Sequence, residues 1–135
     1  MNLQDIRRAV QAHFAEGWGA ETPIAWDNLA ASPATARAPW VRLSLSGSAG
    51  RQVTLGVAGN RVFRRRGHVF VQIFTPLNTG PDRAATLADR AAALLEGAAL
   101  DGIIFTAADI RQTGEDGQGW WLTMLAVPYQ ADSVV

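Results

Sequence analysis

The chain has no cysteine and no lysine, and it carries no net charge. Without cysteine there is no disulfide framework and no thiolate metal site. Twelve acidic residues balance twelve basic ones, so no global field draws the chain to nucleic acid or to an anionic membrane. All of the basic residues are arginine. A GC-rich coding sequence produces that, and so does a surface that favours planar, bidentate donors. No apolar run approaches the roughly 18 residues of a membrane span. Met1 to Asp5 lacks a basic segment followed by an apolar one, so no signal peptide is expected. These absences describe an intracellularly made, soluble protein without a membrane partner.

What is present is a core. The chain has 135 residues, 48% of them apolar, which the length prior assigns to one domain spanning 1–135. The strongest strand signal is His68 to Thr75. Val69, Val71 and Ile73 share one face, and Phe70, Gln72 and Phe74 share the other. Both faces are largely apolar, so this is a central strand covered on both sides, or one whose second face meets a neighbour. Arg66-Gly67 reads as a hairpin turn, with Arg61 to Arg65 as an exposed partner strand. Pro76 ends the central strand.

Leu3, Ile6, Val10 and Phe14 recur at helical spacing and predict a first helix from about Asn2 to Glu16, stopped by Gly17 and Gly19. Ile24 and Trp26 suit one face of a short extended piece. Asp27-Asn28 is turn chemistry, and 29–39 is a loop rich in Ala, Ser and Pro. Trp40 to Ser46 alternates, with Val41, Leu43 and Leu45 inward. Gly47 to Gly50 then reads as a turn into a second strand, Arg51 to Val57, with Val53, Leu55 and Val57 inward. Pro81 and Asp82 open a second helix that runs to about Gly97, its stripe being Ala84, Leu87, Ala88, Ala91, Leu94 and Leu95. Ile103 to Arg111 is a further strand. An acidic turn at Gly114 to Gly119 follows, then a last strand from Trp120 to Val127 closed by Pro128, and a fraying tail at 129–135. The order predicts an α+β domain: a mostly antiparallel sheet with two helices packed on it.

No catalytic constellation emerges. His13 has no partner ligand one helical turn away. His68 has no carboxylate nearby in sequence to orient it as a base. Ser44, Ser46 and Ser48 lie outside any nucleophile elbow, and phosphate-binding fingerprints are absent. The Glu115-Asp116 turn lacks the spacing of a calcium loop. No cofactor, metal or catalytic residue is therefore assigned. Three features remain. Arg64, Arg65 and Arg66, with Arg61 close by, form the one dense basic patch, read as a solvated end, a protein contact or a nucleic-acid contact. A protein contact would pair them with Asp27, Asp109 or the Glu115-Asp116 tip of a neighbour. Five tryptophans are many for this length. Trp18, Trp26 and Trp40 lie in or beside loops, while Trp120 and Trp121 place adjacent indoles on opposite faces of one strand. One of that pair needs cover from a helix, a loop or a partner.

Two runs carry a resemblance. Pro23-Ile24-Ala25-Trp26-Asp27-Asn28 precedes a strand that opens at Trp40-Val41-Arg42. Arg66-Gly67-His68-Val69-Phe70-Val71-Gln72-Ile73-Phe74-Thr75-Pro76 precedes Gly80 and a helix containing Leu87-Ala88-Asp89. Together they resemble the tail terminator-like proteins of long-tailed bacteriophages and prophages, from the first helix to the end of the second. The resemblance implies a small α+β structural protein with no catalysis. It would form a ring, typically a hexamer, that caps the tail tube, ends its polymerisation and offers a surface for joining the head. The implied partners are other copies of the chain, the tail tube protein and a head-completion or neck protein. The implied location is the virion tail, assembled in the host cytoplasm. Arg61, Arg64, Arg65, Arg66, Trp26, Asp27, Glu115, Asp116 and Trp121 are the candidate contacts. The alternatives are another neck or tail-completion protein, or a nucleic-acid-binding accessory protein that uses the arginines.

Overall fold

Asn2 starts the chain's regular structure. Its side chain accepts the Asp5 N–H at 2.8 Å, and the Asp5 carboxylate accepts the Asn2 N–H at 3.3 Å. This reciprocal cap satisfies two donors that a helix start leaves open, and α1 follows as Leu3–Trp18. The computed structural model describes residues 2–27, 38–100 and 102–135, so most of the expected 29–39 loop lies outside the described residues. Ile6, Val10, Phe14 and Trp18 are the buried side of α1. Leu3, expected in that stripe, is exposed.

The described residues form seven strands: β1 (Ile24–Trp26), β2 (Trp40–Gln52), β3 (Val62–Pro76), β4 (Ala99–Leu100), β5 (Ile103–Phe105), β6 (Asp109–Glu115) and β7 (Trp120–Val134). The second helix, α2, spans Asp82–Leu95. Sheet order is β1-β2-β3-β7-β5-β4, and β6 pairs with β7 beside β5. Only β1 and β2 run parallel. The α+β class, the mostly antiparallel sheet and the two helices are as the sequence predicts.

Both helices cover one face. Their buried side chains join Val41 and Leu43 of β2, Val69, Val71 and Ile73 of β3, and Leu125, Val127 and Tyr129 of β7 in one apolar core. The unbroken β3–β7 register then turns Arg64, Arg66, His68, Phe70, Gln72 and Phe74 to the opposite face, because side chains alternate along a strand.

Four strand assignments differ from expectation, each for a physical reason. Arg66-Gly67 is no turn: β3 passes straight through it. Gly67 lacks a left-handed φ. A Cβ there would meet the Gly47 carbonyl, the Ser46 carbonyl at 2.7 Å and the Tyr129 hydroxyl at 2.8 Å. The glycine serves a close backbone approach. Gly47 to Gly50 is likewise no turn but a bulge in β2, where the register slips between Ser46 and Ala49. One long hairpin results; of the expected second strand, Arg51 to Val57, the first two residues extend β2 and the rest are the exposed connection at its end.

Pro128 does not end β7. The strand bonds β6 as far as Ala126 and β5 from Tyr129 onward. The Pro128 carbonyl accepts the Thr106 N–H at 3.1 Å on that side. Its ring nitrogen faces the same break between β6 and β5, so no ladder bond is lost. The segment after it, expected to fray, pairs with Val62–Gly67 of β3. The expected single strand Ile103 to Arg111 divides at the same break. Thr106 N–H turns to Pro128, and Ala108 N–H is taken by the Glu96 carboxylate at 2.8 Å.

Candidate interface surfaces

The face opposite the helices carries no helix among the described residues. At one end it is closed by a small aromatic cluster. Trp40 stacks on Phe74 with centroids 4.1 Å apart, and Trp120 meets Trp40 edge-on at 6.1 Å. Ala25 and Leu122 complete it. Trp120, expected to share the core problem with Trp121, is therefore covered by this cluster. Further along, the face becomes polar and open. His68 stacks on Phe70 at 5.9 Å. A groove of about 630 Å³ runs beside the bulge, lined by Ser46, Arg66, His68, Ile104, Pro128 and Gln130 among others.

β3 does not deliver its arginines to an edge, since β2 and β7 flank it. Alternation also divides them: Arg64 and Arg66 lie on the open face, Arg65 on the helix-side face. Arg64 forms a two-pronged ion pair with Asp132 of β7, Nε to Oδ1 at 2.8 Å and Nη2 to Oδ2 at 3.0 Å. The hydrogen bond from Arg64 holds the Asp132 carboxyl below its ordinary range, and the charges of Arg64 and Arg66 push the same way. The same bond raises Arg64. Arg61 lies over the Phe63 ring at 5.4 Å and donates from Nε to the Val135 carbonyl at 3.2 Å. Arg65 and Arg66 have no ion-pair partner among the described residues. The sequence reading missed Asp132 because it placed that residue in a loose tail.

The remaining candidates lie apart from this patch. Trp26 on β1 packs half-buried against the helix-side core. Asp27 is exposed and accepts the Ser44 hydroxyl at 2.7 Å. At the tip between β6 and β7, Asp116 is partly engaged: its Oδ1 accepts the N–H groups of Gln118 at 2.7 Å and Trp120 at 3.1 Å. Glu115 lies opposite Trp121 in the β6–β7 register. Trp121 is 37% exposed and walls a cleft with Pro76, Leu77 and Pro81. Sequence reasoning missed that cleft because it forms only when the loop after β3 meets the β6–β7 tip.

Trp18 is no loop residue. It ends α1, fully buried, stacked on Phe14 at 5.2 Å, with its indole N–H donated to the Thr22 hydroxyl at 3.0 Å. His13 contacts the Leu94 carbonyl through Nε2 at 2.8 Å. Among the described residues no three His, Cys, Asp or Glu side chains gather as a metal site. No helix there is long and apolar enough to cross a membrane.

Comparison with known proteins adds two findings. A family model described as phage tail terminator protein matches residues 5–129. A solved structure shares the fold, with a TM-score of 0.70 at 21% identity, covering 97% of this chain and 96% of the other. No curated protein matches the sequence.

Proposed function

Because the chain belongs to the phage tail terminator family, we propose that it caps the tail tube. Copies assemble as a ring on the tube's end, hexameric by the family resemblance, stop further polymerisation and present the surface that a head-completion or neck protein joins. The ring belongs to the virion tail, is put together in the host cytoplasm, and catalyses no reaction. The observation that carries this reading is the match over nearly the whole chain. The bare sheet face agrees with it, since a domain that covers only one side of its sheet leaves the other for contacts. So do the separated charges, because a ring joins two different patches on successive subunits.

The test is tube growth. Purified tail tube protein polymerised with substoichiometric amounts of this chain should give shorter tubes, and electron microscopy should show extra ring density at one end. Tubes of unchanged length with bare ends overturn the proposal. The nucleic-acid alternative loses ground on one detail: Arg64 is spent on Asp132 and Arg65 faces away from Arg66, so no continuous basic stripe tracks a phosphate backbone.

A further inference from the structure

Two features without a partner lie at opposite ends of β3. At the Val62 end, the connection between β2 and β3 holds Val53, Leu55 and Val57 in water, 39%, 93% and 71% exposed. Single exposed aliphatics are ordinary, but here three fall within five residues of one short loop. The loop is a built shape. Val53 N–H bonds the Val62 carbonyl at 2.8 Å, and Val62 N–H bonds the Thr54 hydroxyl at 2.9 Å. Asn60 N–H bonds the Val57 carbonyl at 3.0 Å, and Arg61 and Val135 exchange backbone bonds at 3.3 and 2.8 Å. A loop shaped before contact loses less entropy on binding.

At the Pro76 end is the cleft walled by Pro76, Leu77, Pro81, Trp121 and Glu115, about 570 Å³ in volume. That size suits a few side chains. Its loop is also fixed in shape: the Thr79 hydroxyl donates to the Pro76 carbonyl at 2.7 Å. The two ends differ in charge. Arg51 and Arg61 flank the loop, with Arg65 and Arg66 on opposite faces of β3 behind them, and none of the four has an ion-pair partner among the described residues. Glu115 stands in the cleft wall, with Asp82 and Asp116 next to wall residues in sequence. Strand rise places the two ends about 45 Å apart along β3, so they cannot meet within one molecule.

We propose that the Val53–Val57 loop of one copy docks in the Trp121 cleft of the next copy, with Leu55 as the anchor and the arginines beside it facing Glu115. The contact is head-to-tail, which is the kind that closes a ring. It rests on the ring reading above and names the surfaces that make the ring. Apolar burial supplies the affinity, and the opposed charges set the direction of approach.

The absence of native cysteine allows a direct test. Leu55→Cys and Leu77→Cys single variants are mixed under mild oxidation, with tail tube protein present. A 55–77 disulfide dimer in excess of 55–55 and 77–77 products is expected, and the double variant should give a ladder of linked chains. Leu55→Ser, at a side chain with almost no native contact, should fold normally and weaken assembly at least tenfold by light scattering. Oligomers that form without the 55–77 link, and that Leu55→Ser leaves intact, overturn this contact but leave the ring standing. A chain that stays monomeric even with tube protein overturns both. Protection of residue 55 by tube protein while the oligomer's own contacts are elsewhere assigns the loop to the tube and also overturns the proposal.

Discussion

The two faces of β3 share one backbone and have opposite fates. On one side Val69, Val71 and Ile73 are fully buried under α1 and α2. On the other, Phe74 is buried by Trp40, while Phe70 and Gln72 are half-buried and His68 is exposed. Apolar residues therefore occur on both faces, but only one face has helices to cover them. The covered face holds the fold. The open face carries less of that load, most of it in the Trp40–Phe74 cluster.

The sharpest way to break this comparison is to truncate one aromatic on each side. Trp18→Ala removes a fully buried indole that stacks on Phe14, and it leaves the Thr22 hydroxyl without its donor. Truncations of this kind cost about 3–5 kcal/mol, a large share of the stability of a small domain. Phe70→Ser on the open face should change stability by less than about 1 kcal/mol and leave the far-UV circular dichroism unaltered. Urea denaturation of both variants checks the pair. If Phe70→Ser proves as costly as Trp18→Ala, the open face belongs to the core and the division drawn here is wrong.

Gly67→Ala sharpens the same comparison at the place where the hairpin bends. The added methyl would press on two carbonyl oxygens of the bulge and on the Tyr129 hydroxyl, none of which moves freely. Overpacking of this sort costs about 1–3 kcal/mol. Thermal unfolding should show the loss. An unchanged midpoint would mean that the bulge relaxes and that the glycine answers to something other than space.

Gly67 also shows what could and could not be read from the sequence. Alternation at His68 to Thr75 and the three-four spacing of Ile6, Val10 and Phe14 were legible, because the core imposes those periods directly. Gly17 and Gly67 were read as punctuation. Both are packing sites instead: a Cβ on Gly17 would run into the Leu94 side chain of α2, so α1 continues past it to bury Trp18. Nothing local distinguishes a glycine that ends an element from one that lets another element come near. The same limit applies at the loop end of β3. Val53, Leu55 and Val57 alternate as a strand would, but the sheet stops at Gln52 and gives them no face to join. Trp121 was legible as an indole of an adjacent pair, and it is 37% exposed, while its cleft depends on residues 40 to 45 positions earlier. The arginines were legible as a cluster. Their division between two faces, and the claim of Asp132 on Arg64, followed from a pairing of β3 with β7 that Pro128 concealed.

That pairing gives the smallest predicted effect, and its sign can be worked out. The Arg64 hydrogen bond and the nearby Arg66 charge depress the folded-state pKa of Asp132. A depressed carboxyl contributes stability above its unfolded value, near 4, and loses it as pH falls through the lower folded value. The contribution should thus be complete at neutral pH and fade below about pH 4. Both side chains are partly open to solvent, 28% and 38% exposed, so salt should screen the pair and the effect should be slight. Asp132→Asn should therefore unfold a little more easily than the parent at pH 7, and the gap should narrow as pH falls below 4 or as salt is raised. Paired denaturation curves at pH 7 and pH 3 check this. A gap that widens in acid would mean that Asp132 is held by something besides the arginines.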